Sequence, residues 1–338
     1  MEYRISTIIP VYNCENFLER AVESVIKQQE FSCVQLILVD DGSTDSSPEI
    51  CDRYASEYPN IYAYHQENSG VSAARNLGIS KADAELITFI DSDDYILEGY
   101  YENIFSNSDS DLVCFNYTNN ISVKTNLSHY FFLKHYNKHE FSDSLYPAMA
   151  DDYTMYQCWN KVYRKSIIEK YALQFPVGVK LAEDMIFVYS YIEHIESFRY
   201  IDKSLYFYYI NESSVTGSLK YGYEAYEMIY NFLSEYFNRI GYKTYNVHHN
   251  FVFRSVGTIY SAAVSLSFFD AYKYINKILN KTVFYRKYCE DPIYKKCDGV
   301  NGYMNKFIMK KSPFLIILLV RYNELRSARI QKKENKNG

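Results

Sequence analysis

The chain has 338 residues, 48% hydrophobic and 23% charged, the proportions of a globular protein with one large domain and a smaller one. Its net charge of −5 argues against a general nucleic-acid binder, which needs a basic face. Seven cysteines, none in a C-x-x-C pair, argue against a zinc ribbon or a disulfide scaffold and fit a reducing compartment. No secretory signal opens the chain, and no stretch approaches the roughly 20 apolar residues of a membrane span, so a cytoplasmic protein is expected.

In chain order, Ser6-Thr7-Ile8-Ile9-Pro10-Val11 reads as a buried strand, and Glu15 to Gln28 carries a helical apolar stripe at Phe17, Leu18, Ala21, Val22, Val25 and Ile26. Val34 to Val39 is a second strand, followed by the polar loop Asp40-Asp41-Gly42-Ser43-Thr44-Asp45. Ser46-Ser47-Pro48 opens a helix, with Pro in its first turn. Ile61 to Tyr64 is a third strand, Ser72 to Ile79 a helix, Leu86 to Ile90 a fourth strand and Leu112 to Tyr117 a fifth. Repeated β-α-β units predict a mostly parallel sheet flanked by helices, with ligands beyond the carboxyl ends of its strands. Tyr12-Asn13, Asp40-Asp41 and Asp91-Ser92-Asp93 each follow such an end. Residues 118–200 are less regular, Leu205 to Ile210 reads as a strand, and the pattern turns helical from about Tyr221. The boundary is expected near 215, giving domains 1–215 and 216–338.

Four constellations could carry chemistry. Asp91-Ser92-Asp93-Asp94 follows an apolar strand. If it stays extended, Asp91 and Asp93 point the same way and suit a hard cation; otherwise it is an acidic turn. Asp40 and Asp41 could accept from a base or ribose, or form a solvated turn. In Asn68-Ser69-Gly70-Val71-Ser72-Ala73-Ala74-Arg75, a loop runs into a helix whose Arg75 could approach phosphate or pair with a nearby acid. Glu183-Asp184 is either a general base or a pair of acids favoured at a helix start. The chain has no G-x-G-x-x-G, Walker A, H-E-x-x-H or G-x-S-x-G motif.

As a set, in order and spacing, Ile8-Ile9-Pro10-Val11-Tyr12-Asn13, Val39-Asp40-Asp41-Gly42-Ser43-Thr44-Asp45, Asn68-Ser69-Gly70, Ala73-Ala74-Arg75-Asn76 and Phe89-Ile90-Asp91-Ser92-Asp93-Asp94 resemble the family 2 inverting glycosyltransferases of bacterial capsule, exopolysaccharide and cell-wall synthesis. The likeness is dense over the first 100 residues and thinner through Trp159-Asn160-Lys161-Val162-Tyr163 and Glu183-Asp184. It implies a GT-A fold, Rossmann-like, with a helical extension at the C-terminus. Pro10 and Tyr12 would frame the nucleotide of a UDP-sugar, and Asp41 would accept from the uracil N–H. Asn68 and Arg75 would complete the base and phosphate pocket. Asp91, Ser92 and Asp93 would form the DXD motif, with Asp93 the direct ligand of Mn²⁺ or Mg²⁺ and Asp91 nearer the ribose. Asp184 would be the catalytic base, with Glu183 beside it and Trp159 near the sugar or acceptor. The Q-x-x-R-W motif of polymerising members is missing, which favours transfer of one sugar per encounter to a glycan, lipid-linked, teichoic acid or glycoprotein acceptor. A sugar-nucleotide pyrophosphorylase would show a Gly-rich loop where Tyr12-Asn13-Cys14-Glu15 stand. The rival is a catalytically silent nucleotide-sugar-binding scaffold.

Residues 306–338 hold nine Lys or Arg against Glu324 and Glu334. A helix starting at Ser312-Pro313 and running to about 330 places Phe314 to Val320 beside this basic flank. That composition suits peripheral contact with an anionic membrane, or a homo-oligomer interface.

Overall fold

A computed structural model describes residues 2–119, 131, 135–151, 155–179, 181–210, 223–243, 245–291, 294 and 299–337. The chain divides into two compact units, Met1–Gly217 and Ser218–Gly338, and the boundary expected near 215 lies outside the described residues.

The first unit opens as the patterning predicts: β1 (Ile5–Val11), α1 (Leu18–Ile26), β2 (Val34–Asp40), α2 (Ser47–Glu57), β3 (Ile61–His65), α3 (Val71–Lys81) and β4 (Leu86–Phe89). These strands lie in the order β3-β2-β1-β4, all parallel. Every residue of β1 and β2 is buried, which is why both strands read as unbroken apolar runs. Their few polar side chains are satisfied internally: Ser6 Oγ donates to Gln35 Oε1 at 2.6 Å, and Thr7 Oγ1 bonds the Tyr101 hydroxyl at 2.8 Å. Helix α1 buries Leu18, Ala21, Val22 and Val25. It starts three residues later than the stripe suggests, because a turn comes first in which the N–H groups of Phe17 and Leu18 donate to the Cys14 carbonyl.

Beyond β4 come β5 (Tyr95–Ile96), α4 (Tyr100–Phe105), β6 (Leu112–Asn119), β7 (His135–Asn137), α5 (Leu145–Asp151), β8 (Lys161–Arg164), α6 (Lys165–Lys170), α7 (Glu183–Ile192) and β9 (Ser197–Tyr208). The sheet is mixed rather than mostly parallel. Strand β8 slots between β4 and β6 and is antiparallel to both, while β5 and β7 run antiparallel to β9. At four residues with a basic residue at each end, β8 gives no apolar run to read. Its Lys161 is fully buried, with Nζ donating to the Gln157 carbonyl and to Asn160 Oδ1.

The second unit is helical: α8 (Tyr223–Arg239), α9 (Tyr245–Ser265), α10 (Phe268–Leu279), α11 (Thr282–Glu290), α12 (Gly299–Met309) and α13 (Pro313–Asn337). Its core includes Tyr223, Ile259, Ile275, Phe284, Ile308 and Ile317. Among the described residues no helix is long and apolar enough to cross a membrane.

Helix α3 lies close on the sheet at Gly78, where a Cβ would stand 2.4 Å from Cγ2 of the fully buried Ile8. Gly78→Ala should therefore lower the free energy of unfolding by about 1–3 kcal/mol through overpacking, read as a lower midpoint in urea.

Candidate active site

The parallel half of the sheet brings three strand ends to one edge. At the end of β1, Pro10 and Val11 are buried; beyond it Tyr12 is half exposed and Asn13 takes a left-handed φ of 47°. Asn13 ties the first two loops together: its N–H donates to Ser43 Oγ at 3.0 Å and its Oδ1 accepts from the Thr44 N–H at 2.8 Å. After β2, the Asp41 carboxylate is buried. It accepts from Gln66 Nε2 (2.7 Å), Ser69 N–H (2.9 Å) and Gly70 N–H (2.8 Å), and so fixes the loop that carries the exposed Asn68. Gly42 permits this approach, since a Cβ there would lie 2.8 Å from the Asn68 nitrogen. Asp41 is thus mainly an anchor for the 66–70 loop, with one lone-pair direction left for a ligand.

After β4, residues 91–94 form a turn, closed by the Asp94 N–H donating to the Asp91 carbonyl at 3.0 Å. Asp91 and Asp93 therefore do not project together from an extended strand, as their spacing suggested. Asp91 Oδ1 accepts from Arg75 Nη2 at 2.8 Å. The Asp93 carboxylate bonds its own backbone N–H and makes no ion pair among the described residues. Its backbone carbonyl accepts from Arg20 Nη2 at 2.5 Å. Ser92 bonds the Cys14 thiol, joining this turn to the loop after β1. Asp94 is wholly buried and accepts from the Tyr206 hydroxyl (2.6 Å) and the Tyr209 N–H (2.7 Å).

Arg75, on α3, is the centre of the constellation. Its side chain is 4% exposed, and Nη1 donates to Asp184 Oδ1 at 2.5 Å and lies 3.7 Å from Glu183 Oε1. One guanidinium thus joins the acidic turn to the first turn of α7, over 109 positions of sequence. The structure turns Arg75 toward carboxylates instead of leaving it open to a phosphate, the pairing that was the alternative at the sequence level. Asp184 Oδ2 receives a long contact, 3.4 Å, from the Cys158 N–H, and the Cys158 thiol also bonds the Asp184 carboxylate.

Burial opposes the Arg75 charge, but Asp184, Asp91 and Glu183 outweigh it and raise its affinity for the proton further. Burial raises Asp91, with Arg75 pulling the other way. It raises Glu183 too, helped by the neighbouring Asp184 charge. Asp93 is pushed up to about 6, by burial and then by Asp91.

Trp159 is 4% exposed, stacked on Tyr206 (centroids 4.4 Å apart) and Tyr208 (5.6 Å), with Tyr117 edge-on at 4.8 Å. It supports the acidic turn from behind, because Tyr206 bonds both Asp94 and the Asp91 N–H. Arg20 is a second support that the sequence did not reveal. Its guanidinium carbon lies 4.7 Å from the Tyr209 ring centroid and 5.1 Å from that of Tyr95 while holding the Asp93 carbonyl. Only an arginine one turn after Phe17 could have hinted at it.

Among the described residues no group of three His, Cys, Asp or Glu side chains is arranged to hold a metal ion by itself. A divalent ion bound with a diphosphate needs only one or two protein carboxylates. The unpaired Asp93 fits that demand, and Asp91 keeps Oδ2 free of hydrogen bonds among the described residues.

A parallel β/α half with an acidic turn beyond its strand ends, closed by a mixed half-sheet, defines a GT-A-like α/β fold. Residues 6–172 match the family model of glycosyl transferase family 2. The chain is 31% identical over 222 residues to the glycosyltransferase GlyA of Streptococcus pneumoniae, covering 63% of this chain and 31% of GlyA. It is 46% identical over 106 residues to the minor teichoic acid biosynthesis protein GgaB of Bacillus subtilis, covering 31% of this chain and 12% of GgaB. The chain thus spans about a third or less of the length of these two relatives. The fold is similar to that of S. aureus TarS residues 1–349 in complex with UDP-GlcNAc, with a TM-score of 0.66 and 18% identity, over 95% of this chain and 92% of that one.

Two outcomes follow from the charges. Arg75→Met should destabilise the protein by about 3–5 kcal/mol in urea unfolding, since it leaves buried carboxylates uncompensated, and part of that loss should return on acidification. Asp93 binds its proton more readily folded than unfolded, so ionising it weakens the metal-free fold as pH rises from about 4 to about 6. In chelator, Asp93→Asn should stabilise the protein by up to about 2 kcal/mol above pH ~6, with the gain fading by pH ~4.

Proposed function

We propose that the protein is an inverting, metal-dependent glycosyltransferase that moves a single sugar from a UDP-sugar to a hydroxyl of a cell-surface glycan acceptor in the cytoplasm. The observation that carries this reading is the single guanidinium of Arg75 between Asp91, on the nucleotide side, and Asp184, the candidate base. The name of GlyA supports sugar transfer, that of GgaB supports a teichoic acid acceptor, and the UDP-GlcNAc in the TarS structure supports a UDP-sugar donor.

In this reading Tyr12 and the 66–70 loop, fastened by Asp41, receive the uridine, with Asn68 at the pocket edge. Asp93, and Asp91 through Oδ2, would hold Mn²⁺ or Mg²⁺. When bound, that ion neutralises the negative charge of the departing diphosphate. Arg75 occupies Oδ1 of Asp184, so Oδ2 is the atom left to take the proton from the acceptor hydroxyl as its oxygen attacks the anomeric carbon. Glu183 adds negative charge beside it. The Cys158 N–H limits the rotation of the carboxylate, and Trp159 and Tyr206 hold the acidic turn still. Residues 1–215 would be the catalytic domain and 216–338 its helical extension.

Asp184→Asn should leave UDP affinity unchanged by calorimetry, while kcat for acceptor-dependent UDP release falls about 10²–10⁴-fold. A near-normal kcat removes Asp184 as the base. Asp93→Ala should abolish the Mn²⁺-dependent part of UDP binding. Intact UDP binding with no turnover of any UDP-sugar in a panel identifies a binding module instead.

A further inference from the structure

We infer that the helical unit carries a docking face for an anionic lipid bilayer, formed by the corner between α9 and α10 together with the first two turns of α13. Six large apolar side chains stand exposed there: Leu266, Phe268 and Phe269 at the corner, and Phe314, Leu315 and Leu318 on α13, with Phe269 65% accessible. They form one surface. The rings of Phe268 and Phe314 meet at 5.7 Å, and Arg321 of α13 donates to the carbonyls of Ala263 (2.9 Å) and Leu266 (2.6 Å), pinning α13 to the corner. From residue 264 to 270 every residue is exposed, so the corner protrudes.

The rim says what covers this face. Lys273 lies 4.3 Å from the Phe269 ring centroid and the Arg321 guanidinium 5.8 Å from that of Phe268, while Lys310 and Lys311 lead into α13 and Arg326 lies one turn beyond Tyr322. The neighbouring acids have local partners: Asp270 bonds the Ser267 hydroxyl at 2.6 Å, and Glu324 bonds Tyr260. Aromatic and aliphatic side chains ringed by Lys and Arg that make no ion pair among the described residues match the boundary of an anionic leaflet, where the rings enter the headgroup layer and the cations remain at its surface. A second copy of this chain matches less well, because a two-fold contact would bring the same basic rims together, and interface cores are depleted of Lys. The sequence placed membrane contact on the tail helix as a whole. The described side chains place the exposed apolar residues at the start of that helix and add the α9–α10 corner, which carries no run of basic residues.

The experiment is sedimentation of the full chain with vesicles of phosphatidylcholine alone, or with about 30 mol% phosphatidylglycerol added. The protein should partition at least about tenfold more strongly into the anionic vesicles, and less so in high salt. Phe269→Asp and Leu318→Asp, both at exposed positions, should each reduce that partition at least about tenfold with unchanged circular dichroism. Removing Lys310 and Lys311 together should reduce it about fivefold per charge. Equal partition into both vesicle types, or variants that bind like the parent, overturns the assignment. So does a dimer in light scattering that Phe269→Asp dissociates, which would make the face a contact between copies. No donor sugar is present in the measurement, so its failure leaves the transferase reading standing, and the reverse.

Discussion

One guanidinium sets the geometry of the site. Arg75 draws Asp91 and Asp184 to within hydrogen-bonding distance of its two terminal nitrogens, with Glu183 at 3.7 Å. Without that positive charge, acids from the end of β4 and the start of α7 would repel each other in a partly desolvated cleft. A buried ion pair of this kind is poor evidence of net stabilisation, because desolvation offsets most of the attraction, and Arg75 Nε is left buried with no hydrogen-bond partner. What the cluster supplies is placement. It fixes which oxygen of each aspartate stays available, Oδ2 of Asp91 and Oδ2 of Asp184. The cluster also holds more carboxylates than cations, so a diphosphate approaching Asp91 and Asp93 needs a further positive charge. That electrostatic deficit, more than any ligand count, is the physical case for a divalent ion in the proposed reaction.

Behind this cluster lies a second layer of side chains. Tyr206 at the end of β9 donates to Asp94 and accepts from the Asp91 N–H, Trp159 stacks on Tyr206, and Arg20 holds the Asp93 carbonyl from α1. Three elements distant in sequence thereby immobilise a four-residue turn. Among the described residues the Asp93 carboxylate makes no ion pair that would have to be displaced before a cation binds. Catalytic groups held to within a fraction of an ångström generally need such support.

The parallel half of the fold was legible because β1 and β2 are buried on both faces and so leave unbroken apolar runs. The mixed half was not. Strand β8 is four residues long with Lys161 buried inside the sheet, and Arg199, Asp202 and Lys203 interrupt the apolar pattern of β9. The site residues were legible as a set of motifs, but the conformation of the acidic stretch was not. Two-residue spacing suggests convergence only in an extended segment, and the Asp94-to-Asp91 hydrogen bond makes it a turn. The surroundings of Trp159 were not legible for a related reason: its stacking on Tyr206 and Tyr208 depends on pairings that only the sheet register creates.

In the helical unit the limit of sequence reading is of another kind. Helix α13 begins with seven consecutive apolar residues, Phe314 to Val320, so no amphipathic face can be read from its first two turns. Packing resolves the ambiguity by burying Ile316, Ile317 and Val320 and leaving Phe314, Leu315 and Leu318 exposed. A surface helix whose outer side faced only water would gain nothing from those three residues, and an apolar circumference implies an apolar contact on both sides. The corner at Phe268 and Phe269 repeats the same excess on a different pair of helices, and the ring contact between Phe268 and Phe314 makes the two excesses one surface. Neither the basic tail nor the apolar run predicts this face alone. It arises from helix packing, with Arg321 capping the carbonyls at the end of α9 and joining the two halves.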